Sequence, residues 1–231
     1  MNVVRTALLI VRKDLAVELR SREVIVTMTL FALLVIVIFA FTFQIDTNVT
    51  QKAAPGLLWV TVVFAGNLGI ARAMDREREH GAMQGLLIGP AGALAVYWGK
   101  AIGVLLFMLV MEILIVPLAL LFVGISLPAS GIGLLVASMA LGTLGFALVA
   151  TLFGAMLAEV RLREVLIPLV VYPIVVPVII AGVQLTSIAL GGAVMDGRDS
   201  DGSSDYLFLL AGFDLVYAAV APWVFARTMV D

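Results

Sequence analysis

The strongest constraint on how this 231-residue chain can fold is a set of six apolar runs, each about 20 residues or longer. A helix of about 20 residues crosses the roughly 30 Å hydrocarbon core of a bilayer. Hydrophobic residues make up 63% of the chain and charged residues 13%, against about 45–50% and about 25% in globular proteins. The sequence therefore predicts an all-α membrane protein, with six transmembrane helices in one helical-bundle domain, residues 1–231. The approximate runs are Val24–Phe43, Ala54–Met74, Leu94–Val123, Gly131–Ala158, Val165–Leu190 and Tyr206–Ala226.

The lysine and arginine residues predict which way the chain crosses the membrane, because cytoplasmic loops carry an excess of them. If the N-terminus is inside, only Lys52 and Arg198 lie outside. The other twelve lie inside: Arg5, Arg12, Lys13, Arg20, Arg22, Arg72, Arg76, Arg78, Lys100, Arg161, Arg163 and Arg227. Both termini are therefore predicted to be cytoplasmic.

The N-terminal segment, residues 1–23, carries apolar residues at spacings of three and four. These residues are Val4, Ala7, Leu8, Val11, Leu15 and Leu19. The pattern predicts an amphipathic helix over Val3–Glu23 that lies on the cytoplasmic surface of the membrane, in contact with lipid. The alternative is a charged flank that only fixes the topology.

Residues 191–205 are rich in Gly, Ser and Asp and are predicted to form an external acidic loop. Their spaced aspartates partly match a calcium-binding loop, but the closing Glu of that motif is missing. A solvated acidic loop is the better interpretation.

The segment 75–92 begins with five consecutive charged residues, which cannot lie in hydrocarbon. After Gly81, which permits a sharp turn, a helix near residues 82–88 would place three apolar side chains on one face, and Pro90 would end it. We predict that this segment is a short amphipathic element at the membrane face that contacts a partner in the water. A loop that only satisfies topology is the alternative. The candidate contact residues are Asp75, Glu77, Arg78, Glu79, Gly81, Met83, Leu86, Leu87 and Pro90.

Two acids fall inside the predicted membrane spans, Glu112 in the third and Asp214 in the sixth. Acids in a bilayer are costly and often functional, but polar side chains also hold helices together. Both interpretations stay open from the sequence.

Small residues recur on the fourth span at spacings that allow close helix packing: Ser138, Gly142, Gly145, Ala150 and Gly154. The fifth span contains Pro168, Pro173 and Pro177, each of which removes a backbone hydrogen bond. We expect that span to bend or break.

The sequence contains no set of residues that would support catalysis. The chain has no Cys and a single His, His80, so neither a thiol nucleophile nor a zinc constellation can be assembled. Gly99-Lys100 is followed by Ala101, which does not fit the phosphate-binding loop of ATPases. We therefore expect no catalytic, metal-binding or cofactor-binding residue, no nucleic-acid partner and no enzyme activity in this chain.

The run from Glu77 through Gly81 to Pro90, followed by Gly99-Lys100, resembles the cytoplasmic coupling element of ABC-2-type permeases. Further segments resemble CcmB, the haem exporter protein B family of cytochrome c maturation: Lys13-Asp14-Leu15, Glu18–Glu23, Phe31–Leu34 before Phe39–Phe41, and Ala54–Val60. The resemblance extends from about Arg12 to Pro177.

This resemblance implies an ABC-2-like permease subunit in the bacterial inner membrane, present in two copies per complex. A CcmA-like subunit would hydrolyse ATP, and CcmC-like and CcmD-like subunits would complete the complex. Haem would be the ligand of the pathway, leaving on the chaperone CcmE at the outer face or being exported. The alternatives are a generic ABC-2-type exporter of lipid, drug or polysaccharide, and a passive scaffold or secondary transporter.

Overall fold

The computed structural model describes residues 3–42, 47–79, 92–158, 160, 162–191 and 202–230. Within these ranges the chain forms seven α-helices and no β-strand, with a short 3₁₀ turn at Ala129–Gly131. The helices are α1 Val3–Ser21, α2 Glu23–Thr42, α3 Thr47–Glu79, α4 Ala93–Val123, α5 Ile132–Met156, α6 Arg163–Ala189 and α7 Ser203–Val230.

The helices α2 to α7 are each long and apolar enough to cross a membrane, which confirms the predicted all-α membrane class. Most of their ends fall within a few residues of the predicted bounds. Helix α3 is the exception, because it begins at Thr47, before the predicted start at Ala54, and continues to Glu79 while its apolar span ends at Ala73. Glu and Arg are good helix formers and no glycine lies between Ala73 and Gly81, so nothing local stops the helix at the membrane surface.

The expected break in the fifth span does not occur, since α6 is one continuous helix through Pro168, Pro173 and Pro177. In a bilayer, neighbouring helices can satisfy the backbone groups that a proline frees. The predicted external loop, residues 191–205, is too long at its C-terminal end. Ser203–Asp205 already belong to α7, where Asp205 in the first turn suits the positive end of the helix dipole, and residues 192–201 lie outside the described residues.

Helix α5 lies at the centre of the bundle and packs against α3, α4, α6 and α7. The 3₁₀ turn immediately before α5 is so close to the end of α6 that a Cβ at Gly131 would overlap the Ala189 carbonyl group. These two helices are therefore antiparallel. We call the end of the bundle that carries α1 the N-terminal face; α3 ends there and α4 begins there.

Helix α1 packs against α4 and joins α2 at a sharp turn. Arg22 forms this turn with a positive φ of 55°, and the backbone N–H of Ile25 donates to the Glu18 carboxylate at 2.9 Å. That bond caps the first turn of α2. The predicted helix is confirmed, and its apolar residues divide between a face that packs on protein and a face that is exposed.

The buried face of α1 is formed by Thr6, Ala7, Ile10, Val11 and Glu18. Val4, Leu8 and Leu19 of the predicted stripe are exposed instead. The periodicity identified the helix, but two adjacent apolar strips satisfy the same spacing and only one of them contacts protein.

Candidate functional site

The predicted coupling residues lie at the end of α3 and in the segment that follows it. The backbone of Asp75, Glu77, Arg78 and Glu79 belongs to the last turns of α3. Gly81, Met83, Leu86, Leu87 and Pro90 lie outside the described residues, as does the predicted coupling helix near residues 82–88. Six helical residues past Ala73 extend α3 by about 9 Å, at about 1.5 Å per residue. Helix α4 then begins at Ala93, so the segment 80–92 joins two helices of the bundle.

The first turns of α4 are fixed to α1 by a buried ion pair. Lys100 Nζ lies 2.7 Å from Asp14 Oδ2, and only 7% of the Lys100 side chain is exposed. Lys13 also contacts Asp14, at 2.8 Å. Close by, a Cβ at Gly99 would lie 2.8 Å from Ile10 Cβ, so only a glycine lets the two helices approach this closely. The motif Gly99-Lys100 is therefore where α1 contacts α4.

Glu112 is buried on α4 and accepts a hydrogen bond from the Thr143 hydroxyl group of α5. Its second oxygen, Oε2, has no hydrogen-bond partner among the described residues. The sequence identified this acid but not Thr143, because nothing in an apolar span says which neighbouring helix a polar side chain faces.

Asp214 is buried on α7, where it faces Gly145 of α5. A Cβ at Gly145 would lie 2.6 Å from Asp214 Oδ1, so the glycine makes room for the carboxyl group. Neither Asp214 oxygen has a hydrogen-bond partner in the described part of the chain. Gly145, predicted only as a packing residue, is therefore the position against which this acid lies.

The two acids lie on either side of α5 at one depth. Glu112 lies eleven residues before the end of α4, and Asp214 and Thr143 lie eleven residues after the starts of α7 and α5. At about 1.5 Å per residue, each is about 16 Å from the same end of the bundle, near the middle of a core of about 30 Å. Among the described residues, no group of three His, Cys, Asp or Glu side chains could hold a metal ion. The arrangement leaves three carboxyl oxygens that can accept further hydrogen bonds.

Trp59 forms a contact that the sequence did not predict. Its indole Nε1 donates to the Thr186 hydroxyl group of α6 at 3.0 Å, and the ring is 1% exposed. A Cβ at Gly142 of α5 or at Gly182 of α6 would overlap that ring. Ser138 continues the contact, because its hydroxyl group donates to the Gly182 carbonyl group at 3.2 Å. The sequence signal that could have indicated this contact is a tryptophan inside an apolar span, together with glycines on other spans.

Comparison with known proteins agrees with this architecture. The family model described as CcmB protein matches residues 5–230, almost the full chain. The match includes α1, the segment between α3 and α4, and both buried acids. The search of curated proteins returned no match.

Proposed function

Because the chain belongs to the CcmB family, the membrane permeases of a haem-export ABC transporter for cytochrome c maturation, we propose that it couples ATP hydrolysis by a separate subunit to an event on the other side of the membrane. That event is the release of a haem-loaded chaperone, or the export of haem, at the outer face of the inner membrane. The permease itself is not the catalytic component.

The single observation that supports coupling at residues 75–90 is the continuation of α3 as a helix past the end of its apolar span. An α-helix is stiff along its axis because backbone hydrogen bonds link each residue to the one four positions earlier. A displacement at one end of the helix is therefore transmitted to the other end. An ATPase that binds the segment 80–92 would therefore act on α3 and α4 together, because that segment joins the two helices.

The contacts of α3 and α4 give such a displacement a route into the bundle. Trp59 of α3 lies between glycines of α5 and α6, so α3 cannot slide without moving the Trp59 ring or those helices. Helix α4 is bonded to α1 through Lys100 and to α5 through Glu112. In our proposal these contacts make the bundle respond as a unit, because packed interiors rearrange in discrete steps.

The family and the charge distribution support a set of partners and an orientation. We propose a CcmA-like ATPase at the N-terminal face, with CcmC-like and CcmD-like membrane subunits, the chaperone CcmE outside, and two copies of this chain per complex. The excess of Lys and Arg supports a cytoplasmic location for the N-terminal face and for both termini. Haem is the ligand of the pathway and not a cofactor bound by this chain.

The test is to place a charge in the apolar run of the segment. Leu86→Asp and Leu87→Asp should each reduce co-purified ATPase and cytochrome c yield at least several-fold, at membrane levels equal to those of the wild type. Leu162→Asp is the matched control, because Leu162 is 67% exposed in the turn between α5 and α6 and lies on the same face. Wild-type values for both substitutions would refute coupling through this segment, and equal loss in the control would refute its specificity.

A further inference from the structure

Both acids of α1 are turned toward the protein and are already engaged. Asp14 pairs with Lys100 of α4, and Glu18, which is 1% exposed, accepts the hydrogen bond from the Ile25 backbone. The negative charge of α1 is therefore used inside the molecule. What α1 presents outward is determined by its other residues.

The outward face of α1 is basic and apolar. Arg5, Arg12 and Arg20 are exposed, and the structure gives them no carboxylate partner among the described residues. Six apolar side chains of α1 are also exposed: Val3, Val4, Leu8, Leu9, Val17 and Leu19.

Val4, Leu8 and Leu19 form an apolar strip that adjoins Arg12 and Arg5, whereas Leu9 and Arg20 lie farther around the helix on the basic side. At about 100° per residue, Val4, Leu8 and Leu19 lie within about 60° of one another around the helix, and Arg12 and Arg5 follow within about 40° more. An apolar strip beside a basic strip is the pattern of helices that lie in the headgroup region of a bilayer.

The position of α1 fits that depth. Helix α4 has 31 residues and is about 46 Å long, whereas the hydrocarbon core is about 30 Å thick. Helix α1 packs on the first part of α4, where Ile10 contacts Gly99 and Asp14 reaches Lys100 and Gly103. If α4 reaches the opposite surface at Val123, this first part lies at the level of the lipid headgroups.

We propose that Arg5, Arg12 and Arg20 bind the headgroups of anionic phospholipids while Val4, Leu8 and Leu19 enter the acyl region. Bound lipid holds α1 against α4. The protein thereby acquires a dependence on anionic lipid that does not involve the ATPase, because each basic residue near an anionic surface adds to lipid binding. The inference rests on the membrane placement of the chain and not on the coupling segment.

The experiment titrates the purified full-length chain in neutral detergent with phosphatidylglycerol or with phosphatidylcholine and follows its melting temperature. Wild type should respond to phosphatidylglycerol at a concentration at least about ten-fold lower than to phosphatidylcholine. The triple substitution R5Q/R12Q/R20Q should remove most of this preference, and R5K/R12K/R20K should retain it. Lys52→Gln is the control, because Lys52 is exposed at the opposite end of the bundle, and it should behave as wild type.

Several results would overturn the proposal. One is an equal response to the two lipids in wild type, and another is the same loss of preference in the Lys52→Gln control. A wild-type response to inorganic phosphate alone would show a phosphate site and not a lipid site. If the triple glutamine variant kept the lipid preference but lost the ATPase in lipid-free detergent, the partner of this face would be a protein.

Discussion

Trp59 and Gly142 should be energetically coupled, because the glycine provides the space that the indole ring fills. In Gly142→Ala the new methyl group overlaps the far edge of the ring, at Cη2. The ring cannot move away, since its Nε1 is bonded to Thr186 at 3.0 Å and Gly182 contacts the ring as well. Overpacking costs about 1–3 kcal/mol, and a ring held in this way places the substitution near about 3 kcal/mol.

The magnitude can be measured with a double-mutant cycle. Trp59→Phe alone should cost about 2 kcal/mol through lost packing and the lost bond to Thr186. Phenylalanine lacks the outer ring atoms that an alanine at position 142 would overlap, so the double substitution should cost much less than the sum. We expect a coupling energy of about 2 kcal/mol in favour of the double variant.

The assay is thermal loss of monodisperse protein in mild detergent, followed by size-exclusion chromatography of a tagged chain. A loss of about 3 kcal/mol should lower the midpoint by about 6–12 °C in a chain of this size. Gly133→Ala is the matched control on the same helix, because nothing lies within 4 Å of the added Cβ. That change should be neutral or slightly stabilising. If Gly142→Ala behaved like the control, or if the two effects simply added, the packing of Trp59 against Gly142 described above would be wrong.

Three further predictions concern the acids, the ion pair and the orientation. Glu112→Gln should keep the acceptor for the α5 hydroxyl group and leave complex assembly intact, whereas Glu112→Leu should cost about 0.6–1.7 kcal/mol in thermal stability. The cytochrome c yield of the Gln variant then separates a structural role of Glu112 from a functional one. Failure of the Gln variant to assemble would contradict both roles. Lys100→Met should cost about 2 kcal/mol, below the 3–5 kcal/mol of a fully buried pair because Asp14 is 14% exposed, and should speed trypsin cleavage within α1; an unchanged cleavage rate would mean that the pair does not hold α1. A cysteine at Ser203 should react with an impermeant maleimide in intact cells and one at Ala82 should not, and the reverse labelling would invert the topology.

The length of the apolar runs was enough to predict the membrane-spanning helices of this protein from the sequence alone. The bilayer imposes one minimum length on every span, so six apolar runs gave six helices with nearly correct ends. The predicted ends were wrong where a helix continues beyond the bilayer, because lipid no longer limits its length there. Helix α3 ran on through charged helix formers to Glu79, and α7 began earlier, at Ser203, because an acidic first turn suits a helix N-terminus.

The partners of each face were determined only by the tertiary structure. Within an apolar span every side is apolar, so the pattern does not distinguish a lipid-facing side from a packed one. Small residues on α5 indicated close packing, but not that Gly142 contacts Trp59 or that Gly145 faces Asp214. The sequence likewise identified Glu112 and Asp214 without their neighbours.

The pair of Asp14 with Lys100 joins residues 86 positions apart, which no local pattern can specify. The same packing turned both acids of α1 inward and left its arginines outside. Composition and periodicity are properties of segments, whereas these contacts depend on which segments the folded bundle brings together.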